Sequence, residues 1–230
     1  MSSQQKQGRQ LAAKLLHLRP KADVKGTGIL KMRDARGKRR TMKVAFNTTL
    51  STNSLAWHDI YRVALPAGVP KGTLAMLVVF HQPGKPNEYA IAHRPDAKVA
   101  ALPRVKVTGS KGLGGSDFTA SDFGLSFLHW PHQRLLRAER RMGADCHVLE
   151  SINPSPAPGV YRRVVSWVLA ESPGIVRAEV YDHDNKLFKI FTPKRLKKID
   201  GRWHLKEMEM RNDRADTRTS ITLDRDQALR

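Results

Sequence analysis

Residues 161–223 read YRRVVSWVLAESPGIVRAEVYDHDNKLFKIFTPKRLKKIDGRWHLKEMEMRNDRADTRTSITL. Short runs rich in Val, Ile, Phe and Thr recur at 161–170, 175–181, 186–191, 195–199, 202–210 and 217–223, with turn signals between them. Asp182-His-Asp-Asn185 and Asp200-Gly201 supply hairpin turns. Two further runs, 133–141 and 144–152, precede this stretch. Such spacing predicts consecutive antiparallel strands in a meander, not strand–helix–strand units.

Upstream the same pattern continues. Runs at 28–33 and 38–48 flank the turn Asp34-Ala-Arg-Gly37. Met42, Val44 and Phe46 alternate with Thr41, Lys43, Ala45 and Asn47, as a half-buried strand requires. Runs 57–64, 74–80 and 88–93 read as strands, the last two around Pro83-Gly-Lys-Pro86. Run 99–107 is broken by Pro103, so it reads as an edge strand or an extended link. Lys111-Gly-Leu-Gly-Gly115 reads as a loop. Thr119 and Asp122 form a capping-box pair that opens a short helix, and Trp130-Pro131 ends it. At the start, Leu11, Leu15, Leu16 and Leu18 recur near helical spacing over 5–18, a helix stopped by Pro20. The tail 224–230 reads as frayed.

At 230 residues and 40% apolar content the chain is long enough for one domain with a real core. No run approaches the length of a transmembrane helix. Lys and Arg number 41 against 21 Asp and Glu, a net charge of +20 that attracts polyanions, anionic lipid headgroups or acidic proteins. Lys31, Arg33, Arg36, Lys38, Arg39, Arg40 and Lys43 cluster around one hairpin, and Lys186, Lys189, Lys194, Arg195, Lys197 and Lys198 around another. Neither cluster carries the stacking aromatics usual in nucleic-acid modules beyond Phe46, Phe188 and Phe191.

The residues give little support to catalysis. Cys146 is the lone cysteine and forms no internal disulfide. His129 and His132 stand three apart but across Pro131, and His183 lies in an Asp-rich turn. The glycine-rich loop lacks the Lys-Ser/Thr ending of a phosphate-binding loop. Asp117 and Asp122 invite reading as paired carboxylates, yet helix capping accounts for Asp122 more simply. We expect no enzyme and no cofactor.

From Gly115 onward a resemblance enters. Gly115-Ser-Asp-Phe-Thr-Ala-Ser-Asp122 resembles the G-S-D-F-T-x-x-D segment of the outer-membrane lipoprotein-sorting proteins, the LolA-like superfamily. Gly143–Glu150, Tyr161-Arg-Arg-Val-Val-Ser-Trp-Val168, Ala178-Glu-Val-Tyr-Asp182 with Lys186-Leu-Phe-Lys189, Asp200-Gly-Arg-Trp203, Met208-Glu-Met210 and Thr219-Ser-Ile-Thr222 follow in the family's order. Asn185 stands where the family often has Gly.

The resemblance implies a mainly β fold with a few helices (α+β): a strongly curved antiparallel sheet forming an incomplete half-barrel covered by helices. It implies a single domain over 1–230, with the N-terminal helix at 5–18, first strands at 27–108, a lid helix region at 116–130 and the meander at 133–223. It also implies a periplasmic location, although the polar N-terminus lacks a signal-peptide core and read alone suggests the cytoplasm. The implied function is a monomeric, non-enzymatic carrier of lipid or acylated lipoprotein, working with an inner-membrane exporter or an outer-membrane acceptor. Candidate cavity-lining residues are Met42, Val44, Phe46, Leu77, Val79, Phe123, Phe127, Val165, Trp167, Leu169, Met208 and Met210. Two rival readings are a basic protein binding nucleic acid or another polyanion, and a half-barrel sensor of mislocalised lipoproteins.

Overall fold

A computed structural model describes residues 1–106, 111–172, 174–199 and 202–225. Among these, the alternating runs become β1 (Val24–Arg33), β2 (Arg39–Leu50), β3 (Trp57–Val63), β4 (Met76–His81) and β5 (Glu88–Ala92). The C-terminal half supplies β6 (His132–Arg141), β7 (Ala144–Ile152), β8 (Arg163–Leu169), β9 (Ile175–Tyr181), β10 (Leu187–Ile199), β11 (Arg202–Asn212) and β12 (Thr217–Arg225). Among the described residues there are two α-helices, α1 (Ser3–Leu16) and α2 (Ala120–Phe123). The strands form one open antiparallel sheet in the order β5-β4-β3-β2-β1-β12-β11-β10-β9-β8-β7-β6.

This order has a simple reading. The chain lays down β1 to β5 outward to one edge, crosses the sheet, and lays down β6 to β12 inward from the other. The first and last strands then meet, with Leu30 opposite Ile221. The crossover, residues 93–131, therefore has to span the sheet, and its route positions the candidate site.

Side-chain period 2 sorts residues onto two faces. The inner face carries α1 and the crossover. Leu30, Met42, Val44, Leu77, Val79, Met210 and Ile221 are buried there beneath Leu113, Phe118 and Ala120 of the crossover. A second inner cluster joins Ala12 and Leu15 of α1 and Phe127 and Leu128 to Leu149, Val164, Val168 and Val180. Phe191 packs against both clusters. Before reaching the inner face the chain first covers the outer face at β3–β5, where Val99 and Leu102 pack on Ile60, Met76 and Val78.

Close approach explains two glycines. A Cβ at Gly8 would meet the Arg134 backbone at 2.6–2.8 Å, so α1 rests directly on β6. Gly114 has φ +66, and a Cβ there would meet Leu30, Met42 and Val63 at 3.1–3.3 Å. The Thr119–Asp122 capping box forms on α2 as the sequence predicts, and α1 carries a second one, Ser2 with Gln5, that the sequence reading did not name. Asn185 takes φ 61, so the hairpin survives without glycine.

Two expectations need correction. The runs 186–191 and 195–199 are one strand, β10, whose register shifts around Pro193 and Arg195. A bulge absorbs the proline without ending the strand. Of the two readings of run 99–107 the described residues 99–106 bear out the link: it begins with a 3-10 turn at Val99–Ala101, and Val105 makes a single bridge to Tyr89. The tail is ordered further than expected, since Asp224 and Arg225 pair with Thr27 and Gly26. Residue 107 and the turn Asp200-Gly201 lie outside the described residues, as does 226–230.

Candidate functional site

The site is built from the motif Ser116-Asp-Phe-Thr-Ala-Ser-Asp-Phe123. Its apolar members point into the sheet: Phe118 is 2% exposed, and Phe123 packs against Tyr61 at 4.4 Å between ring centroids. Its polar members tie the crossover to four separate segments. Asp117 accepts hydrogen bonds from the hydroxyls of Thr217 (2.6 Å) and Thr219 (2.8 Å) on β12. The Asp117 backbone N–H donates back to Thr219 (3.0 Å), and Asn212 at the end of β11 donates at 3.4 Å.

Asp122 serves the second tether. It accepts from the Thr119 backbone N–H (2.7 Å) and hydroxyl (2.8 Å), and from the Tyr161 hydroxyl at 3.0 Å to both carboxylate oxygens. Lys189 on β10 completes it. Its Nζ donates to the Asp117 carbonyl (2.7 Å) and to Tyr161 (3.0 Å), and lies 3.8 Å from Asp122 Oδ2. Lys189 is 3% exposed. A cation this buried is tolerated because its donors are matched. Burial, reinforced by the Asp122 charge, pushes the Tyr161 hydroxyl well above its ordinary range, which keeps it a donor. We call this network the latch.

Both motif carboxylates are thus occupied by donors. Asp117 borders a cleft, but its oxygens are taken up by Thr217, Thr219 and Asn212, and Asp122 is enclosed by Thr119, Tyr161 and Lys189. Cys146 is buried, and burial raises its thiol, which suppresses nucleophilicity. Asp182, His183 and Asp184 bring potential metal-ligand atoms within 4.8 Å of one another. Yet the Asp182 oxygens already accept from the N–H groups of Asp184 and Lys186 and from Arg214, the bonds of a turn.

The candidate lining residues divide by face. Met42, Val44, Leu77, Val79, Met208 and Met210 come together on the inner face, with Phe123 against them. Phe46 shares their face on β2 and lies over Gly26. Phe127 belongs to the inner cluster under α1. Val165, Trp167 and Leu169 stand apart on the outer face with Cys146 and Val148. There Arg141 and Arg177 lie over the Trp167 ring, and Arg163 over Tyr181. Their neighbours Val164 and Val168 face inward instead. A cleft of about 390 Å³ opens beside the latch between Met32, Arg33, Lys38, Arg40 and Asp117, and none of the candidate lining residues borders it.

Among the described residues no helix is long and apolar enough to cross a membrane. A family model described as "uncharacterized protein" matches residues 100–228, the half that carries the latch motifs. The chain belongs to that family. No curated protein matches the sequence. A DUF1329 family protein from Desulfovibrio piger superposes with a TM-score of 0.76 at 20% identity, over 99% of this chain and 95% of that one. A domain assigned to outer-membrane lipoprotein sorting from Vibrio parahaemolyticus gives 0.75 at 18%, over 98% and 94%. A LolA superfamily protein from Nitrosomonas europaea gives 0.61 at 15%, over 100% and 96%. The fold is LolA-like, as the sequence resemblance implies.

Proposed function

We propose that the protein is a non-enzymatic periplasmic carrier that takes lipid or lipoprotein acyl chains between its sheet and its crossover and delivers them toward the outer membrane. In this reading the sheet is the wall of a half-barrel and α1, α2 and the crossover are its lid. Met42, Val44, Phe46, Leu77, Val79, Met208 and Met210 line the wall. Phe118, Phe123 and Phe127 are the plug that cargo displaces. The outer-face residues Val165, Trp167 and Leu169 take no part. An inner-membrane exporter and an outer-membrane acceptor are the partners such a cycle requires.

One observation carries the reading: apolar crossover side chains enter the inner face while a compact polar latch holds their segment down. Magnitudes make exchange feasible. Exposing Phe118, Phe123 and Phe127 costs roughly 1.5–3 kcal/mol each. Opening the latch returns Lys189 and Asp122 to water, so its cost is the net worth of the two Lys189 hydrogen bonds, roughly 1.5–3 kcal/mol each. An acyl chain recovers about 0.8 kcal/mol per methylene, so roughly nine to nineteen methylenes balance the opening. That is the length of an ordinary acyl chain.

The test is native mass spectrometry and lipid extraction of the purified protein, with a fluorescent fatty acid as a titrated probe. Recovered phospholipid or acylated peptide, or saturable probe binding that the wall variant Leu77→Asp abolishes, supports the carrier. An empty protein with no affinity for acyl chains refutes it.

A further inference from the structure

The strand register places four arginines directly opposite one another across neighbouring strands. Arg39 on β2 faces Arg33 on β1, Arg33 faces Arg218 on β12, and Arg218 faces Arg211 on β11. All four lie on the outer face, where Arg33, Arg211 and Arg218 are 40%, 47% and 48% exposed. Like charges directly opposite destabilise a sheet. The fold therefore carries this row against its own stability.

The far half of the same row shows the ordinary solution. Beyond Arg211 it continues through Ile190, Glu179, Val165, Glu150 and Arg134. There Glu150 pairs with Arg134 (2.8 Å) and Arg163 (3.2 Å), and Glu179 with Arg177 (2.8 Å). In the arginine half, only Asp216, Asp213 and Glu209 answer Arg33, Arg211 and Arg218, the last at 3.9 Å. Among the described residues no carboxylate pairs with Lys31, Arg36, Lys38, Arg39, Arg40 or Lys43 around it. The second basic cluster differs, because Lys194 and Arg195 are paired with Glu209 and Glu207 and Lys189 is buried in the latch.

We propose that this arginine ladder and the β1–β2 hairpin form a docking surface for an anionic phospholipid bilayer. Guanidinium groups bind phosphate oxygens two at a time. Strands about 4.8 Å apart array them over roughly 14 Å in one plane, a shape suited to a headgroup layer. The ladder's neighbours Ile29, Thr41, Ser220 and Thr222 offer no aromatic platform for bases. The cleft between Met32, Arg40 and Asp117 lies at the same strand ends but on the inner face, so the latch stays open to solvent while the ladder is docked. Docking holds whatever the core binds.

The test is co-sedimentation of the full chain with vesicles of phosphatidylcholine, with or without about one-third phosphatidylglycerol. Wild type is expected to bind the anionic vesicles and to lose binding as salt rises. Each removed arginine costs about fivefold, so Arg39→Gln with Arg218→Gln weakens partitioning roughly 25-fold. Lys85→Gln, on the β4–β5 turn, stays within about twofold of wild type. The double variant melts no lower than wild type, because removing like charges relieves the sheet. Equal binding to neutral vesicles, undiminished binding of the double variant, or duplex DNA that displaces the protein from vesicles at the same salt overturns the proposal. Acyl-chain extraction is read separately, so failure to dock is distinguishable from failure to carry.

Discussion

Lys189 on β10 and Asp122 on the crossover form a buried pair, 3.8 Å apart, through which the motif segment is held to the sheet. The pair is bridged by Tyr161, which accepts from Lys189 and donates to Asp122. Removing either partner leaves the other charge desolvated, a loss of roughly 3–5 kcal/mol. We expect Lys189→Met and Asp122→Asn each to lower stability by about that amount. The double variant loses less than the sum, because no lone charge remains. Urea unfolding of the three variants measures this; additive losses contradict the latch. Hydrogen exchange is expected to rise first at 111–130, where the tether acts, before the strands.

Gly8 gives a second prediction, about the lid. Its Cα faces the backbone of Arg134, with no room for a methyl group. The helix carries few other anchors, chiefly Ala12 and Leu15. Gly8→Ala raises intrinsic helix propensity by roughly 1 kcal/mol and yet is expected to destabilise the protein, because α1 has to lift from β6. Proteolysis at the N-terminus is the readout. If Gly8→Ala stabilises, as it does in an isolated helix, the close packing of α1 on β6 is wrong.

Much of this was legible in the residues. The meander, the first hairpin, α1 and the Thr119–Asp122 cap follow from alternation and turn chemistry, which are local. The latch was not read as a unit, because Asp117, Tyr161, Lys189 and Thr219 are distant in sequence. Its signal was nevertheless present: each residue lies in one of the separate segments that resemble the lipoprotein-sorting family. Those segments now prove to meet around one crossover. Lys189 was misleading for a related reason. Composition groups it with surface lysines, whereas strand parity turns it inward beside Phe191. Parity also explains Val165, Trp167 and Leu169, which alternate with Val164, Ser166 and Val168 and could not be assigned a face before the register was known.

Tyr89 supplies a test of how tightly the crossover closes. It lies against Gly124, and burial pushes its hydroxyl up to about 12. Asn87 and Ser126 temper that shift, yet neither gives the buried oxygen a hydrogen bond of good geometry. The sign follows from linkage. An unfolded tyrosine loses its proton near 10, while the folded one keeps it to about 12. Between those values the folded state binds the extra proton, so stability falls as pH rises, by roughly 2–3 kcal/mol for this group. Tyr161 acts in the same direction. Tyr89→Phe is expected to match wild type at neutral pH, since the oxygen it removes has no hydrogen-bond partner there. Above pH 10 it loses stability more gradually than wild type. Thermal melting from pH 8 upward separates the two. If both proteins decline in parallel, Tyr89 is wet, and the crossover does not seal the sheet at Gly124.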